Sequence, residues 1–175
     1  MKTYFPFCLC ILILFGCAKK NKIDLAHLSS VTSKKIVKAS SNFEKIDKTQ
    51  SNLNFKNILT HNLNTKSNLF DYDFFYNGAG VGIFDINNDG LKDIFYCGNQ
   101  VPNKLFLNKG NLVFEDISKK AGINKNKNWA NGVTFADVNN DGWMDIYVTQ
   151  GGPYLKEKRQ NLLYINQKNN SFEEQ

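Results

Sequence analysis

An internal repeat constrains the fold of this chain more than any other feature of its sequence. The segment 81–95 returns as 133–147, an offset of 52 residues, and both copies contain the pattern D-x-N-x-D-G-x-x-D. The likeness continues further along the chain, because 105–108 (LFLN) has its counterpart in 163–166 (LYIN). Repeats of this length each form one small unit that buries its apolar face against the next. We therefore expect adjoining copies of one unit.

Each copy supplies four short strand candidates, which in the first copy lie near residues 80–85, 93–97, 104–108 and 111–116. Glycine and Asn-Asp-Gly clusters separate these β-rich runs, as turns do in an all-β domain. Four strands per repeat predict the blades of a β-propeller. The repeat region, 58–175, thus divides into blade 1 at about 71–120 and blade 2 at about 129–175. Because two blades cannot close a ring, we expect them to be part of a larger propeller.

The repeated acidic pattern has the spacing with which a loop can wrap its oxygen atoms around a hard cation. Side chains at positions one, three, five and nine converge, the glycine at position six allows the sharp turn, and the carbonyl at position seven adds an oxygen. Calcium suits such a set better than magnesium or a transition metal. We predict two structural Ca²⁺ sites. The first uses Asp85, Asn87, Asp89, Leu91 and Asp93, and the second uses Asp137, Asn139, Asp141, Trp143 and Asp145.

These loops have two alternative interpretations. Asn-Asp-Gly forms turns with or without a cation, so both loops can be acidic hairpin turns. An EF-hand requires a glutamate at position twelve and flanking helices, but Tyr96 and Val148 stand there among strand-forming residues. The EF-hand is therefore excluded, and the choice between a cation loop and an acidic turn stays open.

The loops and their surroundings resemble the FG-GAP, or VCBS, repeat of integrin α-chain propellers and of their bacterial relatives. In that family a Gly-rich aromatic stretch precedes the loop between the first two strands of a blade, and 75–81 (FYNGAGV) and 129–133 (WANGV) match it. The resemblance covers about 105 residues, 71–175. It implies that the calcium is structural, lies on the rim of the propeller and takes no part in catalysis.

The N-terminus has the pattern of an export signal. Residues 1–16 combine Lys2 with an apolar stretch shorter than the roughly 20 residues of a spanning helix, so we predict a signal peptide that is removed. The junction 14–17 (LFGC) resembles a bacterial lipobox, which implies lipidation of Cys17 and anchoring in the cell envelope, with the outer membrane favoured over the inner. A plain signal peptide with an incidental cysteine is the alternative. Residues 17–57, rich in Lys, Ser and Asn, are expected to form a flexible tether.

The formal net charge of +6 does not indicate nucleic-acid binding. Between Ala18 and Asn57 nine lysines face three acidic residues, whereas from Ile58 to Gln175 twelve basic residues face thirteen acidic ones. The excess positive charge therefore lies in the tether, where it can attract an anionic membrane surface, and we expect no nucleic acid as a partner.

Cys97 is the single cysteine after position 17, which excludes an intrachain disulfide in the mature chain.

Together these features favour a lipid-anchored binding or adhesion module whose partner is an unknown protein or glycan. Candidate contact residues are Trp143 and the insertion from Tyr154 to Arg159, where the second copy is longer. No enzymatic activity is expected, because no nucleophile or phosphate-binding motif is present and the two histidines, His27 and His61, lie outside the repeats. Two alternatives remain: a non-catalytic accessory part of a secreted hydrolase or lyase, and a structural subunit of an envelope complex.

Overall fold

The computed structural model describes residues 43–123 and 129–175. The described residues from Lys45 onward belong to one compact unit. The predicted signal peptide, Cys17 and most of the predicted tether lie outside the described ranges. Within those ranges, no helix is long and apolar enough to cross a membrane.

Two antiparallel sheets of four strands each make up the fold, and the strands of each sheet are ordered as they follow along the chain. Besides the strands, the described ranges contain one helical turn, α1 (Lys48–Ser51), and one 3₁₀ turn (Lys156–Arg159). The predicted all-β class is confirmed, and strands lie at all four positions predicted for the first copy. Blade 1 consists of β1 (Val81–Phe84), β2 (Asp93–Tyr96), β3 (Lys104–Asn108) and β4 (Phe114–Asp116), and blade 2 of β5 (Ala130–Ala136), β6 (Asp145–Gln150), β7 (Leu162–Asn166) and β8 (Phe172–Glu174).

The core lies between the two blades. Phe95 of blade 1 and Ile146 of blade 2 have no exposed surface and belong to one apolar cluster. The rings of Phe84 and Phe135 stack across the interface with their centroids 3.6 Å apart. Gly82 lies so close to the second blade that a Cβ atom there would be 2.4 Å from Cζ of Phe135, so a larger residue at this position would displace that ring. Replacing a buried aromatic such as Phe95 by alanine would cost about 3–5 kcal/mol.

The blades pack head to tail, with opposite faces of the repeat in contact. Phe84 is buried against blade 2, but its counterpart 52 residues later, Ala136, is exposed. Conversely Phe135 packs against blade 1, whereas its counterpart Ile83 is 61% exposed. One face of each repeat therefore packs against the opposite face of the next repeat, as in the blades of a propeller.

The chain already contacts blade 1 before Ile58, where the sequence placed the end of the tether. The ring of Phe55 stacks on Tyr96 at a centroid distance of 4.9 Å. The side chain of Asn57 donates to Oδ1 of Asn99 and accepts from its backbone N–H, both at 2.8 Å. These partners are about 40 residues away, so composition gives no sign of them.

Cys97 lies in the core, as a small apolar residue would. Its thiol is 1% exposed, and burial raises its pKa to about 12. A thiol with so high a pKa carries almost no thiolate at neutral pH and reacts slowly.

Candidate cation loops and an insertion cleft

The two acidic loops connect the first and second strands of their blades and follow the same backbone path. Asn88 and Asn140, at position four, both have φ of 58°. Gly90 and Gly142, at position six, have φ of 85° and 84°. Asparagine and glycine tolerate this left-handed region better than other residues. The asparagine at position four was not singled out from the sequence, although its repetition in both copies was visible.

Loop 1, residues 85–93, is closed by hydrogen bonds from its own backbone to its acidic side chains. The carboxylate of Asp85 accepts from the N–H groups of Asp89 and Gly90 at 3.1 and 2.8 Å. Asp89 accepts from the N–H of Leu91 at 2.8 Å and from the side-chain amide of Asn87 at 3.0 Å. The oxygens of the first, third and fifth positions are thus held on one side of the turn.

Loop 2, residues 137–145, repeats every one of these hydrogen bonds. The donors and acceptors are the residues at the same loop positions, with distances of 2.8–3.1 Å between Asp137, Asn139, Asp141, Gly142 and Trp143. Two sequences that differ at positions two, seven and eight therefore fold the acidic turn identically.

The aspartates at position nine are buried at the start of the second strand. Asp93 has no exposed surface, and its two oxygens accept from the N–H groups of Ile86 and Asn108 at 2.9 and 2.8 Å. Asp145, 1% exposed, accepts in the same way from Val138 and Asn166. Burial raises the pKa of Asp93; the hydrogen bonds oppose this shift, and the charges of Asp89 and Asp85 add to it.

As the side chains stand, no group of three or more Asp, Glu, His or Cys residues in 43–123 and 129–175 is arranged to hold a metal ion. The carboxylates of positions one, five and nine instead accept backbone N–H groups of their own blade. The N–H groups of Leu91 and Trp143 point to Asp89 and Asp141, while the role of their carbonyl groups as ligands stays a prediction.

Two asparagines connect the loops of the two blades. The buried side-chain amide of Asn166 donates to the carbonyl of Met144 in loop 2 at 3.1 Å and to that of Ile86 in loop 1 at 2.9 Å. The amide of Asn88 in loop 1 donates to the carbonyl of Gly142 in loop 2 at 3.3 Å. Asn108, the blade 1 counterpart of Asn166, reaches its own loop at Lys92.

A lysine contacts the acidic side chains of loop 2. Nζ of Lys168 lies 3.3 Å from Oδ2 of Asp141. Burial acts to raise the pKa of Asp141, but hydrogen bonds from Trp143, Asn139 and Lys168 outweigh it and hold the pKa below its ordinary value. In blade 1 the equivalent position, two residues after Asn108, is Gly110, and no lysine or arginine among the described residues pairs with the acidic side chains of loop 1.

The insertion of blade 2 is anchored on Trp129, a residue that is 1% exposed. The N–H of Gly151 donates to the Trp129 carbonyl at 2.9 Å, and the ring of Tyr154 meets the indole edge-on with centroids 6.4 Å apart. Gly152 has φ of 81°, and a Cβ atom there would be 2.4 Å from Cγ of Trp129. The start of the insertion is therefore fixed, whereas its 3₁₀ turn is exposed.

Two clefts of about 450 Å³ each adjoin this insertion. Arg159 lines both of them. The first also contains Lys66, Asp71, Tyr72 and Tyr154, and the second contains Gln150, Lys156 and Asn161. Trp143, the other predicted contact residue, is half-buried and lines neither cleft.

Four-stranded blades packed head to tail, each with an acidic loop between its first two strands, define an all-β repeat protein with propeller-type blades. Residues 85–148 match the FG-GAP-like repeat, which confirms the resemblance that the motifs indicated. The chain is 36% identical to cartilage acidic protein 1 of Xenopus tropicalis over 110 residues, 62% of this chain and 16% of that protein. It is 38% identical to the Mus musculus protein of the same name over 78 residues, 44% of this chain and 12% of that protein. The chain thus spans less than a fifth of the length of these relatives.

Proposed function

We propose that this chain is a binding module of the bacterial cell envelope, attached by a lipid on Cys17 and stabilised by Ca²⁺ in its two acidic loops. One observation carries the calcium assignment: loops 52 residues apart hold the same oxygen-bearing side chains on the same hydrogen-bonded backbone. The lipobox-like junction before Cys17 supports the location. More than one acyl chain would make the attachment durable.

The donor set fits a hard cation. Each loop offers carboxylate, amide and carbonyl oxygens and no nitrogen or sulfur ligand, which is the chemistry that Ca²⁺ prefers. A carboxylate oxygen that accepts one N–H group keeps a further lone pair, so the hydrogen bonds of the loop leave oxygen available. An ion would bind the side chains at positions one, three, five and nine, and it would offset the repulsion among three carboxylates within nine residues. Binding free energy would then add to folding free energy.

The binding role rests on the rigid pair of blades and on the surface that the insertion adds. Its partner is a protein or a glycan, and the insertion is the part of blade 2 that blade 1 lacks. Catalysis is not part of the proposal: His61, the histidine within the described residues, packs its ring on Phe75 and is hydrogen-bonded to the hydroxyl of Tyr76.

Thermal unfolding in calcium and in chelator tests the calcium assignment. We expect the melting temperature to fall in chelator, and we expect the double variant Asp89→Ala, Asp141→Ala to melt at one and the same temperature in both solutions. Asp73→Ala, at an exposed aspartate outside the loops, is the control and should keep the full response to calcium. A melting temperature that is the same in calcium and chelator for the unchanged protein would overturn the assignment.

The anchor is tested separately in bacterial cells. Metabolic labelling with an alkyne fatty acid should mark the unchanged protein and leave Cys17→Ser unlabelled. Membrane fractionation should then find the unchanged chain in the outer-membrane fraction and the variant in the soluble fraction. Labelling of neither protein, or of both, would contradict lipidation at Cys17.

A further inference from the structure

We infer that the clefts beside the blade 2 insertion bind a sugar that carries a carboxylate or sulfate group. This inference deepens the proposed binding function by naming the ligand class and the residues that contact it, and it does not depend on calcium. Three features of the clefts support it: unpaired cations, a fixed aromatic wall, and a buried amide that lacks a partner.

The cations come from two separate parts of the chain. Lys66 precedes blade 1, whereas Lys156 and Arg159 lie on the 3₁₀ turn of the insertion. None of the three forms an ion pair with another described residue. One carboxylate, Asp71, also lines the first cleft, and its Oδ2 accepts from the side chain of Asn68 at 2.6 Å. Arg159, which borders both clefts, is placed to bind an oxyanion through two parallel N–H groups.

The aromatic wall consists of Tyr72 and Tyr154, both held by the buried indole of Trp129. Tyr72 meets Trp129 edge-on with centroids 5.6 Å apart, and Tyr154 does so at 6.4 Å. Since Gly152 packs directly on the same indole, the wall is fixed before any ligand arrives. A half-buried tyrosine offers an apolar ring face together with a hydroxyl, which suits the mixed surface of a sugar ring.

The amide of Gln150 is the third feature. Its side-chain nitrogen and oxygen are both buried, and neither has a hydrogen-bond partner within the described residues. Gln150 lines the second cleft next to Lys156 and Arg159. Buried polar groups are nearly always paired, and an exception points to a missing partner. A ligand hydroxyl or oxyanion that enters this cleft can supply the pairing.

The size of the clefts favours a sugar over a protein surface. Each measures about 450 Å³, within the range of small-molecule sites. A protein partner would need to bury about 800 Å² on each side, whereas the 3₁₀ turn beside the clefts has exposed charged side chains such as Lys158 and no buried residue. An acidic peptide is therefore the competing ligand that the experiment must exclude.

Isothermal titration of the full chain with tetragalacturonate, with a neutral galactose tetramer, with a sulfated galactose tetramer and with a tetraglutamate peptide tests this inference. We expect at least one of the two acidic sugars to bind at least tenfold more tightly than the neutral sugar and the peptide, and the stronger of the two identifies the oxyanion. Arg159→Ala should weaken that binding at least tenfold, and Tyr154→Ala several-fold. Lys158→Ala, on the same 3₁₀ turn but outside both clefts, is the matched control and should change it less than threefold.

Gln150→Leu separates ligand binding from folding. Because it removes an unpaired buried amide, we expect it to leave the melting temperature unchanged or higher while weakening the sugar severalfold. Equal affinity for neutral and acidic sugars, tighter binding of the peptide, no binding at all, or equal losses in Arg159→Ala and Lys158→Ala would each overturn the inference. All titrations are run in calcium and in chelator, and we expect the sugar to bind in both. Failure of the calcium assignment would change the melting temperatures and leave sugar binding as it is, so the two failures can be distinguished.

Discussion

The two acidic loops have one internal geometry but different surroundings. Loop 2 has the ammonium group of Lys168 against Asp141, and Asn166 ties it to the preceding blade. Loop 1 has Gly110 where loop 2 has Lys168, and Asn108 holds its own loop and no other. Neighbouring elements, and not the nine loop residues, therefore determine how the negative charge of each loop is balanced. Loop 1 should therefore depend on a bound cation more than loop 2.

The largest effect should come from the buried aspartates at position nine. In chelator, Asp145→Ala and Asp93→Ala should each lower the free energy of unfolding by about 3 kcal/mol, because each leaves one buried and one partly buried N–H group without an acceptor. Asp145→Ala should cost more, since its partner Asn166 also joins the blades. Urea unfolding measures both, with Asp73→Ala as the control. Losses below about 1 kcal/mol would show that these hydrogen bonds do not hold the loops.

The second-largest difference in stability should be the one between Asn166 and its blade 1 counterpart, Asn108. Asn166→Ala removes hydrogen bonds to both loops inside the interface and should cost about 2 kcal/mol. Asn108→Ala removes hydrogen bonds within blade 1 only, one to the carbonyl of Lys92 and one from the N–H of Gly110, and should cost about 1 kcal/mol. Urea unfolding at equal calcium concentration compares them. Equal losses would mean that the bridge between the loops contributes nothing.

Lys168 offers a smaller but more specific test. Lys168→Asn keeps a residue that tolerates the left-handed backbone, here φ of 63°, and removes the charge beside Asp141. In chelator the exposed pair should contribute little to stability, because solvent screens it. With calcium, loop 2 should bind several-fold more tightly in the variant, as read from the fluorescence of Trp143 during titration. Unchanged or weaker binding would contradict the idea that the lysine competes with the cation.

The smallest difference in stability between the blades should come from the ion pair that joins the last two strands of blade 1. Blade 1 has Lys104 Nζ at 2.6 Å from Asp116, where blade 2 has Leu162 and Glu174. Burial acts to raise the pKa of Asp116, but Lys104 and Ser118 outweigh it and lower the pKa. The stabilisation is therefore present above the unfolded-state pKa of about 3.9 and is lost as the pH falls through the lower folded-state pKa. Because the pair is partly exposed, Asp116→Asn should cost less than about 1 kcal/mol at pH 7, and the cost should shrink as the pH falls. A cost that does not change as the pH falls would refute the ion pair.

The strands and the acidic turns were predictable from sequence, whereas their surroundings were not. Alternating apolar residues and the Asn-Asp-Gly turns lie within a few positions of one another, so periodicity reveals them. The contacts of Asn166 with Ile86, of Phe55 with Tyr96, and of Tyr154 with Trp129 join residues that are 25 to 80 positions apart. The periodicity of a sequence does not predict contacts between residues so far apart in the chain. The burial of Asp93 and Asp145 could not be predicted either, because aspartate side chains are mostly exposed unless a partner satisfies them.

Calorimetric titration of the folded chain with CaCl₂ counts the ions that the two loops bind. We expect two bound ions for the unchanged protein, one ion for Asp89→Ala and one for Asp141→Ala, with the tighter site lost in Asp89→Ala. No heat of binding, or a stoichiometry that neither substitution changes, would rule out calcium binding by these loops.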